Sequence, residues 1–202
     1  LWGVPQRAEY HPEVDTGVHL MMVLDMSARL QASLPVRFAC LTHDLGKGTT
    51  PADVLPRHIA HEERSVRLLK GVCQRLRVPQ ECAGLAEVVA REHGNIHRSV
   101  ALGADAVVRL LERCDAIRKP ERFAEILLAC ECDARGRLGF EESAYLQRPR
   151  LLAVLAAMAW PEVQVTGADI SDDALAVAAI NVARHDLQER VQLVHSDGLS
   201  AL

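Results

Sequence analysis

Apolar residues recur every three or four positions over most of the chain, which is the spacing of amphipathic α-helices. Pro35 favours a helix start, and Gly46 and Gly48 favour a helix end. No segment before residue 150 alternates as a strand does, so the pattern predicts an all-α domain. The predicted helices are Val18–Leu30, Val36–Leu45, His61–Leu76, Gln80–Glu92, Ala104–Ile117 and one that runs from Pro120 through Cys130.

The pattern changes near residue 160. Val163–Ile170 is rich in β-branched residues and alternates, Ser171 can cap a following helix, and Val191–Asp197 resembles a second strand. A strand, a helix and a strand within so short a stretch predict a βαβ unit with a parallel pair. We therefore expect a mainly α protein with a helical domain over residues 1–155 and a short βαβ segment over 156–202.

Composition supports a helical core and limits the possible partners. Hydrophobic residues make up 49 % of the chain but aromatic residues only 3 %. The net charge of −4 gives no overall positive field for nucleic acid, so any RNA contact must be local. The six cysteines show no C-x-x-C spacing, and no apolar run is long enough for a membrane span. We expect a reduced, cytoplasmic protein without a membrane partner.

Metal-capable side chains lie near the ends of several predicted helices. His19 begins one helix, His43 and Asp44 end the next, His93 ends a later one and Asp115 lies near the end of another. Neutral imidazole and carboxylate are the ligands that Mn, Fe, Ni or Zn prefer. If the helices form a bundle, these groups can converge. The sequence therefore predicts a divalent metal held by His19, His43, Asp44 and Asp115.

Other polar residues near the His43-Asp44 doublet suggest phosphate chemistry. A bound metal lowers the pKa of its water and neutralises charge that develops on a phosphoryl group. Lys47, between two glycines, is a candidate phosphate contact, and Arg57 with the pair His58 and His61 could act around the metal or protonate a leaving group.

A less specific interpretation remains open at this point. A His-Asp doublet can simply end a helix, Asp115 can be solvated, and His11 and His97 are expected at the surface or at helix ends. The chain would then be a non-catalytic module that docks on tRNA. Its basic contacts would be the arginines of one helix and the residue just beyond it: Arg64, Arg67, Arg75 and Arg77.

Motifs along the first 155 residues resemble one family. The chain is similar to the HD superfamily of metal-dependent phosphohydrolases and, more narrowly, to the HD domains of bacterial multifunctional CCA-adding enzymes, the tRNA nucleotidyltransferases. The motifs that carry the resemblance are GVPQ at 3–6, HPEVDTGVH at 11–19, FACLTHDLGKG at 38–48, PRHIAHE at 56–62, CQRLRVP at 73–79 and CDARGRLGFE at 132–141.

The resemblance implies hydrolysis of 2′,3′-cyclic phosphodiesters, 2′-nucleotides and phosphomonoesters, with Ni, Mn or Mg, on tRNA or nucleotide substrates. It implies that His43 and Asp44 are the doublet of the family, His19 its first histidine and His93 its later essential histidine. Asp115 or Asp133 would be the last ligand, and we expect Asp115 from its spacing. The full catalytic set is then His43, Asp44, His93, Lys47 and His61. The nucleotidyltransferase head would precede residue 1, so we expect no nucleotide polymerisation.

The segment after residue 160 resembles a different family, the class I S-adenosylmethionine-dependent methyltransferases that modify protein glutamine. The resemblance implies that Asp169 and Asp197 would contact the adenosyl cofactor. The glycine-rich loop that should precede Asp169 is absent from the sequence, so we expect a remnant that does not bind S-adenosylmethionine.

Overall fold

The computed structural model describes residues 1–160, 162, 164–169, 171–184, 186 and 188–196. The chain divides into two compact units, Leu1–Arg148 and Pro149–Leu202. Among the described residues, no helix combines the length and apolar character that a membrane crossing requires. The assignment of separate functions to residues 1–155 and 156–202 stays a prediction.

The first unit is helical, which confirms the mainly α class expected from the pattern. Its helices are α1 (Thr16–Arg29), α2 (Leu34–Thr42), α3 (His61–Leu76), α4 (Gln80–His97), α5 (Ala104–Arg113) and α6 (Pro120–Arg135), and α7 follows at Gln147–Ala159. Helix α4 packs against α2, α3, α5 and α6, and α1 packs against α2 and α6. Leu69, Leu85 and Phe123 are among the largest fully buried side chains of this core.

The helix that carries the His-Asp doublet ends earlier than predicted. Helix α2 ends at Thr42, His43 keeps helical torsion angles, and the chain then tightens into a 3₁₀ helix at Leu45–Thr49. Asp44 lies between the two elements with φ −106° and ψ 15°. Adjacent residues within an α-helix project about 100° apart, so this break allows both side chains to reach one site.

Gly46 brings the 3₁₀ helix into close contact with the start of α3. Its amide nitrogen donates a hydrogen bond of 2.8 Å to Ser65 Oγ. A Cβ atom at Gly46 would lie 2.1 Å from the carbonyl oxygen of His61, so only glycine fits this approach. The contact fixes His61, the first residue of α3, next to the doublet.

The second unit contains two short parallel strands. β1 (Val165–Asp169) and β2 (Val191–His195) pair in register from Val165 opposite Val191 to Asp169 opposite His195. Helix α8 (Asp172–Arg184) connects them. The described residues contribute no further strand to this sheet, and a Rossmann-like domain is therefore not shown. Asp169 ends β1, and Asp197 lies outside the described residues.

Candidate metal centre

Two neighbouring groups of side chains form the centre of the helical unit, and each offers three ligand atoms. The first group joins residues from α1, the end of α2 and α6: His19, His43 and Asp133. The second joins the residue after His43 to residues of α3 and α4: Asp44, His61 and His93. Within each group the three ligand atoms lie within 4.8 Å of one another.

Asp133 connects the histidines of the first group. Its Oδ1 atom lies 2.9 Å from His19 Nε2 and 3.5 Å from His43 Nε2. The rings of His19 and His43, which are 24 residues apart in the sequence, have centroids 6.2 Å apart. The convergence of these two histidines, on which the predicted site depends, is thus present in the fold.

Asp44 connects the second group to the first. Its Oδ1 atom lies 3.3 Å from His61 Nε2 and 3.7 Å from His93 Nε2. Its other oxygen, Oδ2, lies 3.3 Å from His43 Nε2. The two groups therefore form one continuous cluster, with the His43-Asp44 doublet at their junction.

Backbone carbonyls orient three of the imidazoles. The Nδ1 atoms of His43, His61 and His93 lie 2.8, 2.8 and 3.0 Å from the carbonyl oxygens of Cys40, His58 and Val89, respectively. A carbonyl can only accept a hydrogen bond, so each Nδ1 carries the proton and each Nε2 faces the cluster. The Nε2 atoms of His61 and His93 are only 3.3 Å apart. With the proton on Nδ1, the Nε2 lone pairs of these two imidazoles are directed at one point, as in metal ligands.

Two buried polar atoms at the junction also fit a cation. Among the described residues, neither His43 Nε2 nor Asp44 Oδ1 has a hydrogen-bond partner, although both residues are almost fully buried. Buried polar atoms normally have partners, and an imidazole nitrogen beside a carboxylate oxygen is a suitable donor pair for a divalent metal. The residues present therefore fit the metal that the motif implies.

Electrostatics in the cluster match this interpretation. Burial opposes charge on His43, but the carboxylates of Asp44 and Asp133 outweigh it and hold the His43 pKa well above its usual value. Burial also opposes charge on Asp44, yet Lys47 and His43 hold its pKa well below the usual range. Burial lowers the pKa of His93 to about 3, so His93 is neutral and able to ligate at neutral pH. The two carboxylates thus favour positive charge at His43, and a metal that ligates His43 Nε2 would displace the proton from that atom.

Lys47 is part of the cluster through its partners. Its ammonium group lies 2.6 Å from Asp44 Oδ2 and donates a 2.9 Å hydrogen bond to Gln6 Oε1. The side chain is buried, and it offsets the negative charge of Asp44. Lys47 also lines a cavity that opens onto the cluster. A contact between Lys47 and phosphate stays a prediction.

The structure does not bring Asp115 into the cluster. Asp115 follows the end of α5 in a left-handed conformation with φ 56°, and its carboxylate pairs with Arg118 at 2.6 Å and Lys119 at 3.7 Å. The carboxylate that meets His19 and His43 belongs to Asp133, in the last turn of α6. Asp115 was expected from the spacing of the family resemblance and was placed within a helix to Ile117, whereas α5 ends at Arg113. Asp133 therefore replaces Asp115 in the ligand set that we propose.

Comparison with known proteins agrees with this geometry. The HD domain model matches residues 16–129, more than half of the chain. The chain belongs to the HD domain family. The HD domain is also 80 % identical over 158 residues to the "Multifunctional CCA protein" of Acidovorax sp. (strain JS42). It is 78 % identical over 157 residues to the protein of that name from Polaromonas naphthalenivorans.

These alignments cover 78 % of this chain but only 37 % of each relative. The chain thus spans little more than a third of the length of the curated relatives that it matches. No solved structure matches the chain.

Four residues around the HD cluster were not predicted as site residues. His97, expected at the surface or at a helix end, lies with Nε2 2.8 Å from Asp133 Oδ2, and Tyr145 OH donates to its Nδ1 atom at 2.9 Å. His11 was also expected at the surface or at a helix end, and its Nδ1 atom lies 3.2 Å from Glu13 Oε1. The same oxygen of Glu13 is 2.9 Å from His19 Nδ1. The four-residue separation of His93 and His97, which places both on one face of α4, is a signal that the sequence did contain.

A cavity of about 950 Å³ gives access to the HD cluster. Asp44, His61, His93 and Asp133 contribute to its lining, so atoms from both ligand groups face the cavity. A cavity of this size accommodates a nucleotide-sized ligand.

Proposed function

We propose that this HD domain is a metal-dependent phosphohydrolase that acts on 2′,3′-cyclic phosphodiesters, 2′-nucleotides and phosphomonoesters, with tRNA ends or nucleotides as substrates. The main support is the cluster itself, in which two groups of three ligand atoms meet at the His43-Asp44 doublet beneath an open cavity. The name of the relatives, "Multifunctional CCA protein", supports a link to tRNA 3′-end processing.

In this proposal His19, His43, Asp44 and Asp133 hold the metal, and His61 and His93 complete the site. Bound metal would supply a Lewis acid for the phosphoryl oxygens and a water of lowered pKa. The chain itself contributes fixed imidazoles, because the carbonyls of Cys40, His58 and Val89 orient them before substrate arrives.

Asp133 has a second role in the proposal, because its carboxylate also contacts His97. Although burial opposes its charge, Asp133 has a pKa held well below the usual value, chiefly by His43, so its carboxylate can only accept a hydrogen bond. His97 Nε2 therefore donates to Asp133 Oδ2, which fixes the carboxylate beneath the cavity, and with the proton on Nε2 the Nδ1 atom of His97 accepts from the Tyr145 hydroxyl.

Metal removal tests the proposal. We expect the purified chain to hydrolyse 2′,3′-cyclic AMP and p-nitrophenyl phosphate, and we expect prolonged treatment with EDTA followed by its removal to lower both rates at least about tenfold. Addition of Ni²⁺, Mn²⁺ or Mg²⁺ to the treated protein should restore the rates, and the ion that restores the highest rate is the one to use in kinetic comparisons of variants. Hydrolysis that persists unchanged in metal-free protein, as verified by elemental analysis, would contradict the proposal.

We also propose that the protein acts in the cytoplasm, a location supported by its six free cysteines.

We further propose that the second unit is a methyltransferase remnant without cofactor-binding capacity. The two strands and the connecting helix that the structure describes in this unit offer too little surface to enclose an adenosyl group. Calorimetric titration of the chain with S-adenosylmethionine should therefore release no heat of binding. Saturable heat with a stoichiometry near one would contradict the proposal of a remnant.

A further inference from the structure

The cavity above the HD cluster continues into a smaller depression at the protein surface. Four residues line both: Gln6, Arg7, Pro56 and Arg57. Ala8 and Glu9 complete the smaller depression. A ligand whose end lies at the cluster can therefore extend outward over this one side of the cavity.

Two chain segments that are about fifty residues apart in the sequence form this side, and His58 joins them. His58 Nε2 donates a hydrogen bond of 3.1 Å to the carbonyl oxygen of Pro5, and its Nδ1 atom lies 2.7 Å from Thr50 Oγ1. Pro5 lies two residues before Arg7, and His58 directly follows Arg57. The hydrogen bond between His58 and Pro5 therefore holds both arginines on the same side of the cavity.

Arg7 and Arg57 are exposed cations without an ion-pair partner in the described part of the chain. Two other arginines that line the cavity, Arg135 in α6 and Arg137 just beyond it, already have hydrogen-bond or ion-pair partners. Arg135 donates to the carbonyl oxygen of Glu141 and pairs with Glu131, and Arg137 donates to the carbonyl oxygens of Ala134 and Tyr10. Two arginines at the outward passage thus stay available for an anionic ligand.

We infer that Arg7 and Arg57 form a phosphate subsite for the second nucleotide of an oligonucleotide whose terminal phosphoester lies at the HD cluster. The inference rests on the function proposed above and adds the substrate class: an oligonucleotide end in preference to a mononucleotide. The planar guanidinium group donates two parallel hydrogen bonds to a phosphate and keeps its charge at all physiological pH values. Glu9 lines the smaller depression but not the cavity, so Arg7 and Arg57 are the charged residues that the described linings of both share.

This assignment differs from the tRNA-docking surface that the sequence suggested on α3. The guanidinium of Arg64 donates to the carbonyl oxygens of Gly46 and Ile59 and to Thr50 Oγ1, so it holds the turn before α3. Arg67 and Arg75 are exposed, but they do not line the cavity or the smaller depression. They therefore provide matched controls with the same charge.

Steady-state kinetics with two substrates tests the subsite. The substrates are 2′,3′-cyclic AMP and the dinucleotide CpA that ends in a 2′,3′-cyclic phosphate, each with the metal that supports the highest rate. For the double variant Arg7→Gln/Arg57→Gln we expect KM for the dinucleotide to rise about tenfold with little change in kcat. We expect KM for 2′,3′-cyclic AMP to stay within about twofold, because that substrate has no second phosphate.

Salt dependence and the control variant complete the test. The unmodified protein should lose affinity for the dinucleotide more steeply with added salt than Arg7→Gln/Arg57→Gln does, whereas Arg67→Gln/Arg75→Gln should match the unmodified protein on both substrates. An unchanged dinucleotide KM in the Arg7/Arg57 variant, or a rise only in the Arg67/Arg75 variant, would overturn the subsite. Absence of 2′,3′-cyclic AMP hydrolysis by the unmodified protein would instead overturn the proposed function.

Discussion

Replacement of Asp133 by asparagine should lower metal-dependent hydrolysis at least about 100-fold, whereas Asp115→Asn should leave it within about twofold. Asp133 Oδ1 is shared between His19 Nε2 at 2.9 Å and His43 Nε2 at 3.5 Å. Asparagine keeps the shape of the side chain but removes the charge that a cation requires. Among the described residues, the ion-pair partners of the Asp115 carboxylate are Arg118 and Lys119, and neither lines the cavity.

The measurement is kcat with p-nitrophenyl phosphate at saturating metal, together with elemental analysis of each variant after dialysis. Asp133→Asn should retain substantially less metal than the unmodified protein, and Asp115→Asn should retain the same amount. Far-ultraviolet circular dichroism controls for loss of fold. The opposite ranking, with Asp115→Asn inactive and Asp133→Asn active, would restore the ligand set expected from spacing.

The sequence predicted five cluster residues, four of which lie in the first turn of a helix or within two residues after its end. His93 was expected to end its helix, but α4 continues to His97. His19, His43, Asp44, His61 and His93 were all named as site residues, and the fold brings all five together. Proline and capping residues indicate helix starts locally, whereas the C-terminal ends of α2, α4 and α5 lie three to five residues from their predicted positions. Side chains near helix starts are therefore more accessible to sequence reasoning than those near helix ends.

The last carboxylate was predicted less well because its position depends on packing. Helix α5 ends at Arg113, and Asp115 follows it in a left-handed conformation. The spacing of hydrophobic residues along the sequence does not predict such a turn. Asp133 reaches the centre because α6 packs against α1, α2 and α4. The outer contacts of the site, such as Tyr145 with His97, are likewise long-range and have no signature in local sequence.

The strands near the C-terminus show a similar limit. Alternation predicted both strands, and the structure contains a parallel pair there. Two strands of five residues joined by a helix are consistent with many α/β folds, and only the rest of a sheet distinguishes them. Local pattern thus identified the elements of this unit but not its family.

Gly46 and Gly48 of the GKG segment have different physical roles, and substitution of each by alanine should distinguish these roles. Gly46→Ala should lower the free energy of unfolding by about 1–3 kcal/mol, because its Cβ would lie 2.1 Å from His61 O and 2.7 Å from Ser65 N. Both are backbone atoms and cannot rotate away, so the 3₁₀ helix and α3 must separate. Gly48→Ala is the matched control, since its Cβ would lie 3.3 Å from the flexible end of the Leu1 side chain and 4.0 Å from Leu1 N, an ordinary van der Waals distance.

Separation of these elements should also reduce activity, because His61 would move away from Asp44. A displacement of about 1 Å at a reacting site can cost about 100-fold in rate, so we expect Gly46→Ala to lose most of its metal-dependent hydrolysis. For a chain of this size, each kcal/mol lowers Tm by about 2–4 °C. Thermal unfolding in EDTA measures the packing defect without metal, and kcat with metal measures its effect on the site. Equal Tm and kcat values for Gly46→Ala and Gly48→Ala would show that close contact between the 3₁₀ helix and α3 does not position His61.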